Sequence, residues 1–254
     1  MISLCDLSFA YKSQCILDHV NLEIHQGETL AILGASGSGK STLLRLLIGL
    51  QKPTSGKILW DGQDISRFSE TQWDRARMRM GMVFQYSALF DSLSVGENVA
   101  FGLRQRTSLA DTEIRRIVAE KLALVGLAGK EEARPNELSG GMKKRVGLAR
   151  ALALNPEIIL YDEPTAGLDP LRSADINRLI RDMQQQLQVT SVIVTHDMTS
   201  AFYVADRLAF LQQGKFRLIA DKETFKKTKD RDIQLFIHGG ILPHMEMRNN
   251  EMEC

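Results

Sequence analysis

The chain has 254 residues, with 32 basic against 31 acidic side chains and a 44% share of hydrophobic residues. This length and composition allow one large α/β domain with its own core, and the near-zero net charge gives no general reason to expect a binder of nucleic acid or membrane surfaces. No apolar run approaches the roughly 18 residues of a membrane span and no signal segment opens the chain, so we expect a soluble protein that is not exported.

The cysteines and histidines argue against a disulfide framework and against structural zinc. Cys5, Cys15 and Cys254 are odd in number and far apart, which fits a reducing compartment. The five histidines have no metal-ligand spacing.

The first part of the chain predicts short strands around a phosphate-binding loop. Apolar segments alternate with turn residues over 2–9, 20–33 and 56–60, and a helical pattern covers 40–50. Between the second strand and this helix lies the pattern G-x-x-x-x-G-K-[ST], whose backbone N–H groups surround the β- and γ-phosphates of a nucleotide. We expect Lys40 to supply a cation and the Ser41 hydroxyl to bind Mg²⁺; a merely flexible loop is the alternative. The predicted nucleotide-binding residues are Gly34, Ala35, Ser36, Gly37, Ser38, Gly39, Lys40, Ser41 and Thr42.

The middle of the chain predicts several helices over 95–153, broken at Gly126, Gly129 and Pro135. The last of them lies in LSGGMKKRVGLARAL, where residues 142, 146, 149 and 153 form one apolar helical face and Ser139 is a suitable N-cap. Three cations at 143–145 follow at once, although a helix N-terminus usually attracts negative charge. The pattern therefore raises the question of which anion this helix meets.

The second half predicts two strands buried on both faces, at 158–161 and 190–195, each followed by a helix, at 170–187 and 198–205. The first strand ends in Asp162 and Glu163. We expect Asp162 to hold Mg²⁺ through water, and Glu163 to orient and polarise the water that attacks a phosphate. The alternative for such a pair is two solvated loop charges.

Taken in this order, the motifs resemble the nucleotide-binding subunit of ABC transporters over about residues 2–214. The resemblance implies an α/β fold: a P-loop NTPase (RecA-like) core with a parallel sheet, an antiparallel β subdomain, and a helical signature subdomain at about 86–155. It implies one nucleotide-binding domain over 1–238, followed by a tail over 239–254. It also implies hydrolysis of ATP with Mg²⁺, by two copies of the chain that enclose two ATP molecules.

In that family LSGG is the signature motif. The resemblance implies that Ser139, Gly140 and Gly141 face the γ-phosphate of an ATP held by the second copy. The cations at 143–145 would then lie near bound triphosphate. Ser139 as an ordinary N-cap is the structural alternative, and both roles are compatible. Met142 stands where many members have glutamine, and the sequence assigns it no role.

Four further side chains match family positions. Tyr11 would stack on adenine, Gln85 would reach Mg²⁺ and the attacking water, and His196 would contact the γ-phosphate. Asp169 matches an acid near the nucleotide, but it is equally an N-cap ahead of Pro170. Without the family pattern, Tyr11 would be a strand-edge aromatic and His196 a structural histidine.

The segment after Gln85 offers Ala88, Leu89, Phe90 and Leu93 as a surface for a helix of a membrane permease, with ordinary core packing as the alternative. ALFDSLSVGENVAF and SGGMKKRVGLARAL resemble the ATPases of MCE-associated, Mla-type lipid transport systems. This implies phospholipid transport between membranes, an MCE-domain protein as a further partner, no nucleic acid, and a peripheral location on the cytoplasmic face of the inner membrane. The alternatives are an amino-acid or ion importer, a soluble non-transport ABC ATPase, and a module that senses ATP without hydrolysing it.

Overall fold

The computed structural model describes residues 1–239. The tail beyond Gly239, with the methionines that we expect either to dock on a neighbouring subunit or to stay unstructured, lies outside the described residues. Within residues 1–239, no helix combines the length and the apolar character needed to cross a bilayer.

The chain contains ten strands and nine α-helices within residues 1–239. The strands are β1 (Ile2–Tyr11), β2 (Gln14–Ile24), β3 (Thr29–Leu33), β4 (Ser55–Trp60), β5 (Gln63–Asp64), β6 (Met80–Val83), β7 (Ile158–Asp162), β8 (Thr190–Thr195), β9 (Arg207–Gln212) and β10 (Lys215–Asp221). The helices are α1 (Lys40–Leu47), α2 (Glu70–Met78), α3 (Val95–Arg106), α4 (Asp111–Leu124), α5 (Gly140–Leu152), α6 (Pro170–Leu187), α7 (Met198–Val204), α8 (Lys222–Lys226) and α9 (Arg231–Ile237), with a 3₁₀ turn at Pro135–Glu137.

The strands form two sheets. The smaller is antiparallel with the order β2-β1-β4-β5, and the larger has the order β10-β9-β3-β8-β7-β6. In the larger sheet β9, β3, β8, β7 and β6 are parallel, and only the edge strand β10 runs antiparallel to its neighbour. The carboxyl ends of β3, β7 and β8 therefore lie side by side, where parallel sheets commonly hold their ligands.

Burial explains this arrangement. Every residue of β3 and β8 is buried, because these central strands are covered on both faces, whereas β1 and β2 alternate between buried and exposed positions. One core fills the space between the two sheets and contains Trp60 and Trp73. A second core joins α3, α4, α5 and α6 to the other part of the large sheet. A third packs α7, α8 and α9 against β3 and β9.

The predicted strand that leads into the phosphate loop is β3, and the turn at 25–28 before it moves the chain from the small sheet to the large one. The sequence missed several other elements. Strand β6 was not predicted because its four residues are too few to show a period. Helix α2 was also missed: its mean hydropathy is low and only Trp73 and Ala76 are buried.

Candidate functional site

The phosphate loop follows the buried strand β3 and leads directly into α1. Two of its glycines are required by space. A Cβ on Gly34 would lie 2.2 Å from the carbonyl oxygen of Leu211, and one on Gly39, whose φ is 107°, would lie 2.9 Å from Cδ2 of Leu17. A side chain at either position would clash with these neighbours. Glycine at both ends therefore lets the backbone make the tight turn that exposes its N–H groups.

Inside this loop lies the ammonium group of Lys40. The residue is 7% exposed, and its Nζ donates to the carbonyl oxygens of Gly34 at 2.7 Å and Ala35 at 3.0 Å. Burial lowers the pKa of Lys40, and the charges of Glu163 and Asp162 oppose this change. Among the described residues, the buried Ser38 hydroxyl has no hydrogen-bond partner. A cation and an unused hydroxyl in one loop suit a phosphate group.

Ser41 and Asp162 meet at the end of β7. Ser41 Oγ donates to Asp162 Oδ1 at 3.0 Å. Burial raises the pKa of Asp162, while the hydrogen bond from Ser41 lowers it. A hydroxyl and a carboxylate are the hard oxygen ligands that suit Mg²⁺, which keeps several waters and needs few protein ligands. Residues 1–239 contain no cluster of three or more potential metal-binding side chains of the His, Cys, Asp and Glu types.

Glu163 and His196 come together although 33 positions separate them. His196 Nδ1 lies 2.9 Å from Glu163 Oε1, and Thr195 Oγ1 donates to Glu163 Oε2 at 3.0 Å. The Glu163 side chain is 13% exposed and that of His196 is 63% exposed. Glu163 thus lies at the surface of the site with both carboxylate oxygens engaged. The role of Thr195 was not predicted, since its position at the end of a buried strand was the only available signal.

Gln85 follows β6 and is half-buried. Its carbonyl oxygen accepts a hydrogen bond from the Nζ of Lys144 in α5. Lys144 Nζ also lies 3.4 Å from the carbonyl oxygen of Glu163. The structure thus brings Gln85 and Glu163 to Lys144, one of the three cations noted after the signature motif, whose contact with these two residues was not predicted.

Ser139 caps α5 by accepting from Met142 N at 3.3 Å, as the sequence predicts. A cavity of about 720 Å³ at the phosphate loop is lined by Ala35–Ser38, His196, and residues of β9 and α9. Within residues 1–239, no hydrogen bond joins Ser139–Gly141 to the phosphate loop, and the side chains beside Gly140 and Gly141 are those of Leu168 and Arg172. The signature motif and the phosphate loop are therefore separate within the described part of the chain.

The structure gives a different explanation for two of the three cations that follow the signature motif. Lys144 is buried against backbone carbonyls of its own chain, and Arg145 Nη1 donates to the carbonyl oxygen of Val125 at 2.9 Å. Contacts within the chain therefore account for these two cations, and their place near a partner's triphosphate stays a prediction. Met142 is half-buried and packs against the second core, so it acts as a packing residue.

Asp169 and Tyr11 lie at the surface. Asp169 Oδ1 accepts from Arg172 N at 3.0 Å and caps α6, which begins at Pro170. Asp169 is thus observed as the N-cap of α6, and its place near the nucleotide, implied by the family resemblance, remains a prediction. Tyr11 ends β1 with 63% of its surface exposed, so its ring is free to stack on a ligand.

The segment after Gln85 exposes aromatic surface. Tyr86 is 86% and Phe90 43% exposed, while Leu89 is half-buried against the second core. Core packing therefore explains Leu89 and leaves Phe90 available to a partner. The backbone is held from inside by the buried Asn98, which accepts from Phe90 N at 2.8 Å and donates to the carbonyl oxygens of Phe90 and Leu93 at 3.1 and 3.3 Å.

Comparison with known proteins decides the family. Residues 17–166 match the family described as ABC transporter. The chain is 41% identical to the intermembrane phospholipid transport system ATP-binding protein MlaF of Haemophilus influenzae, over 94% of this chain and 90% of that protein.

The chain belongs to the ABC transporter family.

This ABC ATPase is also similar to a second group of transport proteins and to solved structures. It is 43% identical to the probable ribonucleotide transport ATP-binding protein mkl of Mycobacterium tuberculosis, over 98% of this chain and 69% of that protein. Among solved structures, it is similar to the dimeric, post-hydrolysis ATP-binding cassette MJ0796 bound to ADP and Pi, with a TM-score of 0.80, 34% identity and coverage of 87% of this chain and 98% of that chain. The predicted P-loop NTPase fold is confirmed, and as a family member the ABC ATPase binds and hydrolyses ATP.

Proposed function

We propose that this chain is the ATPase subunit of a phospholipid transport system, in which two copies enclose two ATP molecules and drive a membrane permease. The cargo rests on one observation, the 41% identity to a phospholipid transport ATP-binding protein over nearly the full length of both chains. The chemistry rests on the side chains gathered at the ends of β3, β7 and β8. The relatives do not favour an amino-acid or ion importer.

In this proposal, Gly34–Thr42 hold the phosphates of ATP through backbone N–H groups and through Lys40, whose ammonium already lies inside the loop. Tyr11 stacks on adenine with its exposed ring. Ser41, Asp162 and Gln85 form the site for Mg²⁺, Asp162 through water. When bound, Mg²⁺ supplies positive charge that neutralises the phosphate oxygens as the terminal bond breaks.

Glu163 is the residue that we propose to activate water. One carboxylate oxygen accepts the proton as the water oxygen bonds to the γ-phosphorus, and the β–γ bridging oxygen leaves with ADP. Thr195 keeps the carboxylate directed by its 3.0 Å hydrogen bond. His196, 2.9 Å from the other oxygen, turns its exposed ring towards the γ-phosphate.

The second copy completes each site. Ser139, Gly140 and Gly141 begin α5 beside Leu168 and Arg172, with no hydrogen bond to their own phosphate loop among the described residues, and the exposed N-terminus of a helix attracts an anion. We propose that these residues, with Asp169 nearby, meet the ATP of the partner. The dimeric form of the similar cassette bound to ADP and Pi supports this arrangement.

The exposed Tyr86 and Phe90 form the proposed contact with the permease, which would hold the ATPase on the cytoplasmic face of the inner membrane. An MCE-domain protein would be a further partner of the assembled system. No nucleic acid has a part in this proposal. The 1–238 domain, its helical subdomain at 86–155 and the tail at 239–254 remain as predicted divisions of the chain.

The ATPase proposal is tested with Glu163→Gln and Lys40→Ala. Glu163→Gln should bind ATP and dimerise with turnover at least about 10²-fold lower, because the glutamine amide cannot accept the proton. Lys40→Ala should lose tight binding of ATP. Normal turnover in Glu163→Gln would overturn the assignment of the base.

The cargo is tested separately. Genes for a permease and an MCE-domain protein beside this gene would support lipid transport, and a gene for a periplasmic amino-acid-binding protein would contradict it. Co-purification of the complex with bound phospholipid would support the lipid; ribonucleotide in its place would favour the function named for the mycobacterial relative.

A further inference from the structure

Lys144 joins three parts of the site at a single ammonium group. It lies in the second turn of α5 and is 5% exposed. Its Nζ donates to the carbonyl oxygen of Gln85 and lies 3.4 Å from that of Glu163. One side chain thus connects the signature helix, the loop after β6 and the loop after β7.

Packing alone gives no reason for a lysine at this position. A buried ammonium is costly even when carbonyl oxygens accept its hydrogen bonds. Burial lowers the pKa of Lys144, and the nearby charges of Glu163 and Asp162 favour its charged form. The contacts that offset this burial all lead to the proposed hydrolytic centre.

The same helix holds the loop at a second place. Arg150 donates from Nη2 to the carbonyl oxygen of Ser87 and from Nη1 to that of Ala88, both at 2.6 Å. Gly147, one turn after Lys144, lies beside the backbone of Ser87. The segment from Gln85 to Ala88 is therefore fixed to α5 along two turns, while Lys144 is the one residue of α5 that hydrogen-bonds Glu163 within residues 1–239.

We propose that Lys144 is a positioning residue that holds Gln85 and Glu163 in the relative position needed for hydrolysis, and so makes hydrolysis depend on the position of α5. The inference rests on the proposed function. Ser139 lies five positions before Lys144, about 7.5 Å along the helix axis. A shift of α5 when its N-terminus meets the partner's ATP is thus carried through Lys144 to the backbone of both Gln85 and Glu163.

The test compares Lys144→Met with Lys121→Met in the full chain. Lys121 is an equally buried lysine, 4% exposed, whose Nζ donates to Asn155 and Glu120 on the far part of the same helical region. Lys144→Met should lower kcat about 10- to 100-fold, because small misplacements of reacting groups have effects of this size. KM should stay within about threefold, and Lys121→Met should keep kcat within about threefold. Lys144→Arg, which keeps a buried cation with several donors, should restore most of kcat.

A second measurement separates positioning from folding. In the Glu163→Gln background, ATP-driven dimerisation should persist when Lys144→Met is added, since binding does not need the catalytic alignment. If Lys144→Met fails to fold, Lys144→Gln carries the same expectations.

Native kcat in Lys144→Met, or parallel losses of kcat, ATP binding and dimerisation, would overturn the inference. Equal losses of kcat in Lys144→Met and Lys121→Met would do so as well. Full turnover in Glu163→Gln would instead refute the proposed function.

Discussion

At the scale of single residues, the most informative position is Glu163. Its φ of 47° is in the left-handed region, and its N–H donates to the carbonyl oxygen of Val194 at 3.0 Å. A non-glycine residue with this conformation is strained and persists only where its surroundings fix it. Here the neighbouring strand and the hydrogen bonds to Thr195 and His196 fix it, so the carboxylate is held before any substrate arrives.

This predicts an effect of Thr195→Val, a change of similar shape that removes only the hydroxyl. The Glu163 carboxylate loses its 3.0 Å donor and Asp197 N loses its 3.0 Å acceptor. We expect kcat to fall about tenfold and the free energy of unfolding to fall by about 1 kcal/mol. Thr195→Ser is the control, because it keeps the hydroxyl: kcat should be retained. Steady-state ATPase rates and urea unfolding test this, and an unchanged kcat in Thr195→Val would contradict the role of Thr195.

Replacing Asp162 should raise the stability of the folded protein and remove its ATPase activity. Burial raises the pKa of Asp162 above its unfolded value, so the ionised carboxylate destabilises the folded protein at neutral pH. Asp162→Asn should therefore raise the Tm of the nucleotide-free chain, since it removes the buried charge and its amide oxygen still accepts from Ser41. Mg²⁺-dependent ATPase activity should be lost. Below the pKa of Asp162 in the unfolded chain, the aspartate is protonated in both the folded and the unfolded state. The gain in Tm from Asp162→Asn should therefore shrink as pH falls through the raised pKa of the folded state.

Thermal unfolding followed by circular dichroism, near neutral and at mildly acidic pH, measures this difference. Asp175→Asn, on the exposed surface of α6, is the matched control and should leave the Tm unchanged. A lower Tm for Asp162→Asn at neutral pH would show that the hydrogen bond from Ser41 outweighs burial.

At the scale of elements, the segment between β6 and α3 is held by side chains that lie far away in sequence. Asn98 is fully buried and donates to the carbonyl oxygens of Phe90, Leu93 and Ser94, while Arg150 donates to those of Ser87 and Ala88. The backbone beneath the exposed aromatic residues of this segment is thus held by hydrogen bonds from two distant side chains.

Asn98→Ala should lower the free energy of unfolding by about 2 kcal/mol, because it leaves buried backbone groups without partners. The segment should also become more accessible to protease near residues 90–94. Asn136→Ala, an exposed position before the signature motif, is the control and should change neither property. Urea unfolding and limited proteolysis measure both effects, and equal cleavage of the two variants would contradict the role of Asn98.

The elements also show how far sequence reasoning extends. The phosphate loop, the strand ending in Asp162 and the cap at Ser139 were predictable, because local spacing and a flanking strand or helix define each of them. The contacts of Lys144 and Thr195 were not, since they depend on which strand ends lie side by side. Likewise β9 and β10, which pair as antiparallel neighbours in the structure, carried no motif that drew attention to them.

At the scale of the whole molecule, the signature motif and the phosphate loop are separate in one chain, and this predicts a rate that depends on assembly. ATPase activity per chain should rise with protein concentration before it levels off, because each complete site needs two copies. Ser139→Asp should abolish this rise: aspartate caps a helix as well as serine, but its charge repels the partner's triphosphate.

Ser139→Asn, an equally good cap without charge, should retain the rise with protein concentration. Rates measured over a dilution series of each variant decide the point. Activity strictly proportional to protein concentration down to dilute protein would refute the shared site.

The two tryptophans of the chain give this molecule a useful optical property. Trp60 and Trp73 are 7% and 2% exposed and lie in the core between the sheets, and neither lines the cavity at the phosphate loop. Intrinsic tryptophan fluorescence will therefore report the integrity of the two-sheet core and respond weakly to nucleotide. A third indole introduced by Tyr11→Trp would stand at the exposed end of β1 and give an emission signal for adenine binding, separate from that of unfolding.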